Sequence, residues 1–319
     1  MVPYETLEIL LAPFQRCHKA EPGPDVRLGI QNLQRTLRDH PDWMGAVAAQ
    51  VGNLPPHGAG WVAVSLGVLV ENGHPADPSG PCLLEFFEHL LARFPEISDD
   101  DEDYPPLDEA QQIWLDAIPN LARALVSHLA RLPDRREDWA TTESRMTRLE
   151  QLEGYSYAFS WVREAIQRHS APLTVLHVES RQGYRVHYHN VANCFHLFSL
   201  LQCRLGTLLP GGQAPDEAVL AAALGSDGQV SDHGWWHYGW PQHTTPEPLF
   251  PIWGEGLTRH LPQVNGEALI LLWPMTIQRS WDSGFFGPHL DVLPANLTVE
   301  RALSVDEVVE TLRQLGVGG

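Results

Sequence analysis

Cysteine is scarce in this chain and has no pattern. Cys17, Cys82, Cys194 and Cys203 are widely spread and none belongs to a C-x-x-C pair. Neither a disulfide framework nor a zinc ribbon is predicted. Basic charge is also short, with 21 lysines and arginines against 40 aspartates and glutamates, a net charge of −19. A chain of that sign repels phosphate backbones and anionic lipid, which disfavours nucleic-acid and membrane-surface binding. No window approaches the roughly 18–20 uninterrupted apolar residues of a membrane span. The opening MVPYETLEILLAPF has no positive n-region and no cleavage-like site, so the expected location is the cytoplasm.

Signature motifs are missing too. There is no P-loop, dinucleotide-binding glycine fingerprint, H-E-x-x-H or G-x-S-x-G. His177-x-Glu179 matches half of a zinc-deaminase signature, but no P-C-x-x-C accompanies it. Ser231, Asp232 and His233 are adjacent in sequence, whereas a catalytic triad draws its members from separate places.

What is present divides in two. At 319 residues and 43% hydrophobic content, the chain is long and apolar enough for two cores. Residues 1–170 read as helix after helix, an irregular bundle or solenoid-like stack. Leu28, Ile30, Leu33 and Leu37 recur at helical spacing. Gly60–Val70 is almost wholly apolar and is expected to be a buried helix, Leu107–Leu132 is expected to be interrupted at Pro119, and Glu143–His169 completes the run. The acidic run Asp99–Asp103 lacks the glycine-bearing spacing of a calcium loop and reads as solvated. Residues 171–319 mix strands with helices, so the predicted fold class is α+β, an all-helical domain followed by a mixed α+β domain with antiparallel strands.

The second part is organised around residues 173–206, which read as strand, turn, strand and helix. Placing Gly183 in the left-handed position of a three-residue loop sets Ser180 opposite Tyr184. His177 then faces His187, Glu179 faces Arg185, and Val175 faces His189. In that register His177, Glu179, Arg185, His187 and His189 share one face, and Leu176, Val178, Tyr184, Val186 and Tyr188 the other. Opposed residues have β-carbons about 5 Å apart, so the three imidazoles would converge on one transition-metal ion. His196 and His237, and beyond them His243, are candidate further ligands. The same pattern also fits a plain solvent-facing side, with Glu179 and Arg185 as a cross-strand ion pair.

Asn193 is a good N-cap for the helix CFHLFSLLQCRLG, which places Cys194 in its first turn, where a thiol can be activated. Buried free cysteine is the inert alternative. The aromatic run Trp235–Trp240 fits either stacking on a flat ligand or anchoring a loop onto the core. Glu267–Trp273 reads as a buried strand stopped by Pro274, and Ser304-Val-Asp-Glu starts a last helix ending before Gly316. The pieces Ile252–Gly256 and Arg279–Trp281, with the NCFHLFSLL helix, resemble segments in a group of bacterial proteins of unassigned activity. That resemblance covers the C-terminal third to half and implies no activity, cofactor or ligand.

The expected function is a non-catalytic cytoplasmic binding or regulatory protein acting through protein–protein contacts, with the helical half offering the partner surface. The alternative is a metal-dependent enzyme using iron, zinc or copper on His177, His187 and His189.

Overall fold

The change of character along the sequence appears as two compact units, Met1–Ile166 and Gln167–Gly319. The computed structural model describes residues 4–97, 104–225, 228–240, 252–287 and 289–317. The acidic run Asp99–Asp103 and His243 lie outside the described residues.

The first unit consists of helices α1 (Tyr4–Gln15), α2 (Pro24–Asp39), α3 (Met44–Ala48), α4 (Pro56–Glu71), α5 (Gly80–Leu91), α6 (Glu109–Arg131), α7 (Pro133–Thr141), α8 (Glu143–Leu152) and α9 (Ala158–Gln167). Helix α4 is its centre: residues from His57 to Val70 are buried on nearly every side, as its apolar composition demands. It packs closely on α6, because a β-carbon at Gly67 would lie 2.8 Å from the Ala124 Cα. Only glycine allows that approach. Helix α6 runs unbroken through Pro119, contrary to the interruption expected from the sequence. A proline removes one ladder bond, whereas Ala117, Ile118, Leu121 and Leu125 are all buried, and burial of that face outweighs the loss. A capping box, with Gln111 N donating to Asp108 Oδ1 (2.7 Å) and Asp108 N to Gln111 Oε1 (2.9 Å), fixes its start. The expected helical run Glu143–His169 is divided into α8 and α9, and its last residue already belongs to a strand. Arg148 on α8 donates to the carbonyls of Leu91, Phe94 and Pro95, satisfying the C-terminal end of α5.

The second unit is built on a mixed sheet. Its elements are β1 (His169–His177), β2 (Gln182–Val191), α10 (Cys194–Leu205), α11 (Glu217–Ala223), β3 (Ser231–His233), β4 (Trp236–Gly239), β5 (Gln263–Val264), β6 (Glu267–Pro274), β7 (Ser280–Asp282), β8 (Asn296–Ala302) and α12 (Val305–Gln314). The strand order is β4-β6-β1-β2-β8, with β5 on β6 and β3–β7 as a separate pair. The β1–β6 pairing is parallel and the others are antiparallel. Fold class is therefore α+β, helical in the first half and mixed in the second.

The hairpin exists, but its register is not the expected one. Leu173 pairs with Val186, Val175 with Tyr184, and His177 with Gln182, so His187 faces Pro172. The loop is the four residues 178–181, with Arg181 rather than Gly183 in the left-handed region (φ 54°). Gly183 is a strand residue, and a β-carbon there would press on Leu176 Cδ2 at 2.6 Å. The shift from the expected pairing is five residues. An odd shift exchanges the faces of one strand relative to the other. Leu173, Val175 and His177 therefore share a face with Tyr184, Val186 and Tyr188, under α10. Leu176 lies on the opposite face with Arg185, His187 and His189, and packs in the cluster around Val308 and Leu312 of α12. The physical reason is that β1 is an inner strand with apolar residues on both faces, so its pattern does not choose between registers.

Helix α10 lies against the first face and forms one core with β1, β2, β4 and β6 through Leu197, Leu200, Leu201 and Leu205. Ser304 and Glu307 form a capping box that starts α12 where the sequence places it.

Candidate functional site

Helix α10 carries the polar chemistry of the second unit. Asn193 caps it, its side chain accepting from His196 N at 3.0 Å. Along a helix that is otherwise apolar up to Arg204 in its last turn, His196, Ser199 and Gln202 recur every three residues, all buried. At the first of these, His196 Nε2 lies 2.7 Å from the Ala223 carbonyl, which can only accept, so that nitrogen carries the ring proton. Its Nδ1 is then the acceptor facing Arg168 Nη1 at 3.5 Å. Burial, with the Arg168 charge beside it, lowers the His196 pKa to about 3. The ring stacks on Phe286, with centroids 4.7 Å apart. Arg168 also donates to the Asn190 and Phe286 carbonyls at 3.2 and 3.4 Å.

The other two polar residues meet Asp232 of β3. Ser199 Oγ donates to Asp232 Oδ2 (2.5 Å), Gln202 Nε2 lies 3.1 Å from both carboxylate oxygens, and His233 N donates to Oδ1 (2.8 Å). Ser199 Oγ accepts from Trp281 Nε1 (2.9 Å), and Gln202 Oε1 accepts from Trp235 N (2.9 Å) and Tyr238 OH (3.1 Å). Ser199, Gln202 and His233 N all donate to the carboxylate, an arrangement that favours Asp232 ionised. Burial nevertheless raises its pKa, and the hydrogen bonds from Ser199, His233 and Gln202 oppose that rise. The network ties β3, β4 and β7 to α10.

The histidines singled out from the sequence do not converge. His177 is 2% exposed, and its Nδ1 accepts from Ser180 N (3.3 Å), closing the hairpin loop, with Ser180 Oγ 2.9 Å away. His187 and His189 lie on the other face, their rings stacked 4.4 Å apart, with His187 Nδ1 3.7 Å from Glu300 Oε1. His237 Nε2 accepts from Thr276 N at 2.8 Å, which leaves its proton on a buried Nδ1. Burial is the first cause lowering the pKa of His177, His189 and His237. The expected Glu179–Arg185 pair is replaced by Arg185 bridging Glu267 (3.2 Å) and Glu300 (3.1 Å). The expected convergence of His177, His187 and His189 on one ion is thus overturned by the register. Among the described residues, no group of three or more His, Cys, Asp or Glu is arranged to hold a metal ion.

Cys194 is 2% exposed, and burial pushes its thiol up to about 12, the reverse of activation. The Trp235–Trp240 run packs: Trp236 is fully buried and its indole donates to the Pro210 carbonyl at 2.8 Å.

Arg168, Ser199 and Gln202 are not singled out by the sequence, and Asp232 appears there only in a rejected triad. The three-residue recurrence of His196, Ser199 and Gln202 inside an apolar helix was a usable signal. Arg168 sits where helix gives way to strand and carries none. In the first unit, Ser79 Oγ lies 2.8 Å from His128 Nε2, whose Nδ1 donates to the Ala124 carbonyl (2.7 Å). Both side chains are fully buried, so this pair ties α5 to α6 and offers no open nucleophile.

Next to the buried groups lies an exposed aromatic patch. Trp253 is 69% exposed and Phe285 47%. The Phe195 ring lies against Gly254, the residue after Trp253, and 5.4 Å from the Phe285 ring. The patch is braced by Phe195 N donating to Gly254 O (2.7 Å), Cys194 N to Gly256 O (2.9 Å), and Asn193 Nδ2 to Phe285 O.

No protein-family model matches the sequence, and no curated protein or solved structure is significantly similar to it.

Proposed function

We propose that this is a non-catalytic binding or regulatory protein that works in the cytoplasm through contacts with another protein. The observation that supports this reading is the exposure of Trp253 and Phe285 on segments that backbone bonds tie to the start of α10, with the Phe195 ring packed on Phe285. Large aromatic side chains at a solvent-facing position are the residues from which binding hot spots are built. The titratable side chains nearby point the same way, since His196 and Asp232 are engaged in bonds that hold elements together. Among the described residues, no helix is long and apolar enough to cross a membrane. In the helical unit Ile9 (74% exposed) and Leu28 (57%) offer single apolar contacts rather than a braced cluster.

The test is a double variant, Trp253→Ala with Phe285→Ala. Both side chains are exposed, so the urea midpoint is expected to stay within about 0.5 kcal/mol of the parent. Proteins recovered with the tagged parent from its own cells are expected to be lost with the variant. An identical set recovered with both would sink the reading.

A further inference from the structure

A cavity of about 440 Å³ opens between the C-terminal half of α10, the start of α11 and strand β3, with Gln202, Cys203, Asp216, Val219, Asp232 and Trp235 in its wall. We infer that this cavity binds a small quaternary ammonium compound, seated by the Asp232 carboxylate and the Trp235 indole, on residues separate from the aromatic patch described above. Asp232 is 5% exposed, and a buried charge is ordinarily matched by one of opposite sign. Its bonds come instead from Ser199 Oγ, Gln202 Nε2 and His233 N, all neutral donors. Among the described residues no lysine or arginine lines the cavity, and Arg204, on the same helix, donates to Asn296 Oδ1 at 3.0 Å. The cavity therefore faces a negative charge without a cation, in surroundings that screen it poorly.

The same bonds decide which cation fits. Gln202 Nε2 and His233 N occupy Oδ1, and Ser199 Oγ and Gln202 Nε2 occupy Oδ2, which uses the roughly four lone-pair positions of a carboxylate. A primary ammonium would need one of those positions for an N–H. A fully methylated ammonium has no N–H, and its charge is attracted without a hydrogen bond. Trp235 supplies the second contact, since indole is the best aromatic partner for such a cation. The residue is half-buried and held in place, its N–H donating to Gln202 Oε1 at 2.9 Å. Gly206 backs the ring, where a β-carbon would collide with Cζ3. Val219 and Val230 in the wall suit the methyl groups. The volume lies within the about 300–1,000 Å³ of small-molecule sites. The net charge of −19 draws cations toward the molecule at long range.

The experiment is an amide chemical-shift titration of the whole ¹⁵N-labelled protein at about pH 7.5 with choline, its uncharged carbon isostere dimethylbutanol, and ethanolamine. Choline is expected to saturate with a Kd below about 1 mM. The isostere and ethanolamine are each expected to bind at least about tenfold more weakly. The shifted amides are expected to include Cys203, Ala218, Ser231 and His233, which line the cavity. Trp235→Leu is expected to weaken choline roughly three- to thirtyfold, and Trp235→Phe, which keeps a π-face, to weaken it less. Melting temperatures establish that both variants are folded, and the comparison of the three ligands on the parent decides the matter if they are not. The inference is overturned by any of four results: no saturation by choline, the isostere or ethanolamine binding as tightly as choline, shifts that lie elsewhere, or a folded Trp235→Leu variant that binds choline like the parent.

Discussion

Asp232 is the residue on which the second unit turns most sharply. Its four hydrogen bonds all come from donors, so an amide in its place would set an N–H against Ser199 or Gln202. Asp232→Asn, although isosteric, is expected to cost about 1–3 kcal/mol in urea unfolding. Trp281 fluorescence is a suitable probe, since its indole donates to Ser199 in the same network. An Asn variant as stable as the parent would show that the carboxylate is protonated in the fold and that the donor order drawn above is wrong. His177 illustrates a second point at this scale. Its ring serves as an acceptor for the turn backbone, a role invisible in composition, because any histidine two or three residues before a turn has the same letters.

At the scale of elements, the hairpin register makes a direct prediction. Thr174→Cys with Arg185→Cys places two thiols on directly opposed residues, where Cα separations of about 4.5–5.5 Å suit a disulfide. Oxidation is expected to link them, as located by peptide mass spectrometry. His177→Cys with His187→Cys is expected to stay reduced, since those positions are on opposite faces. The reverse pattern would restore the register expected from the sequence and with it the histidine cluster. Helix α10 gives a further prediction. Asn193→Ala removes the cap on His196 N and the bond to the Phe285 carbonyl, for an expected cost of about 1–2 kcal/mol. Because that second bond braces the aromatic patch, the same variant is also expected to weaken partner recovery.

For the whole molecule the decisive feature is the set of histidines that the fold holds neutral, five of them buried and His189 half-buried. His57, His128, His177, His189, His196 and His237 all have lowered pKa values, with burial the largest cause in each case. A lowered folded pKa means the unfolded chain binds the proton more readily. The stabilising contribution is therefore complete above the unfolded value of about 6.5 and is lost as pH falls below it. Between pH 7.5 and 5.5 His196, whose value in the fold is about 3, is expected to cost about 1.4 kcal/mol, and the other buried histidines to add in the same direction. The carboxylates with strongly lowered values, Glu307 and Glu310 at about 2, lose their contribution only below about pH 4.5 and do not offset this. Urea midpoints at the two pH values check it. Equal midpoints would mean that these rings titrate normally and are solvated.

The sequence by itself determined the division into a helical and a mixed part, because helical periodicity and β-alternation are local patterns. It also determined the Asn193 and Ser304 caps, whose chemistry lies within four residues, and the burial of α4, whose composition admits no wet face. The tertiary structure alone decided the hairpin register. Leu173, Val175 and Leu176 leave no polar face on β1, so the choice fell to β6 and α12, which cover the strand from outside the hairpin. It also decided that α6 passes through Pro119, since the compensating contacts come from α4. The grouping of Ser199 and Gln202 with Asp232, and of Arg168 with His196, belongs to the same class. These partners are separated by about thirty residues and lie on different elements, and only packing brings their polar atoms within bonding distance.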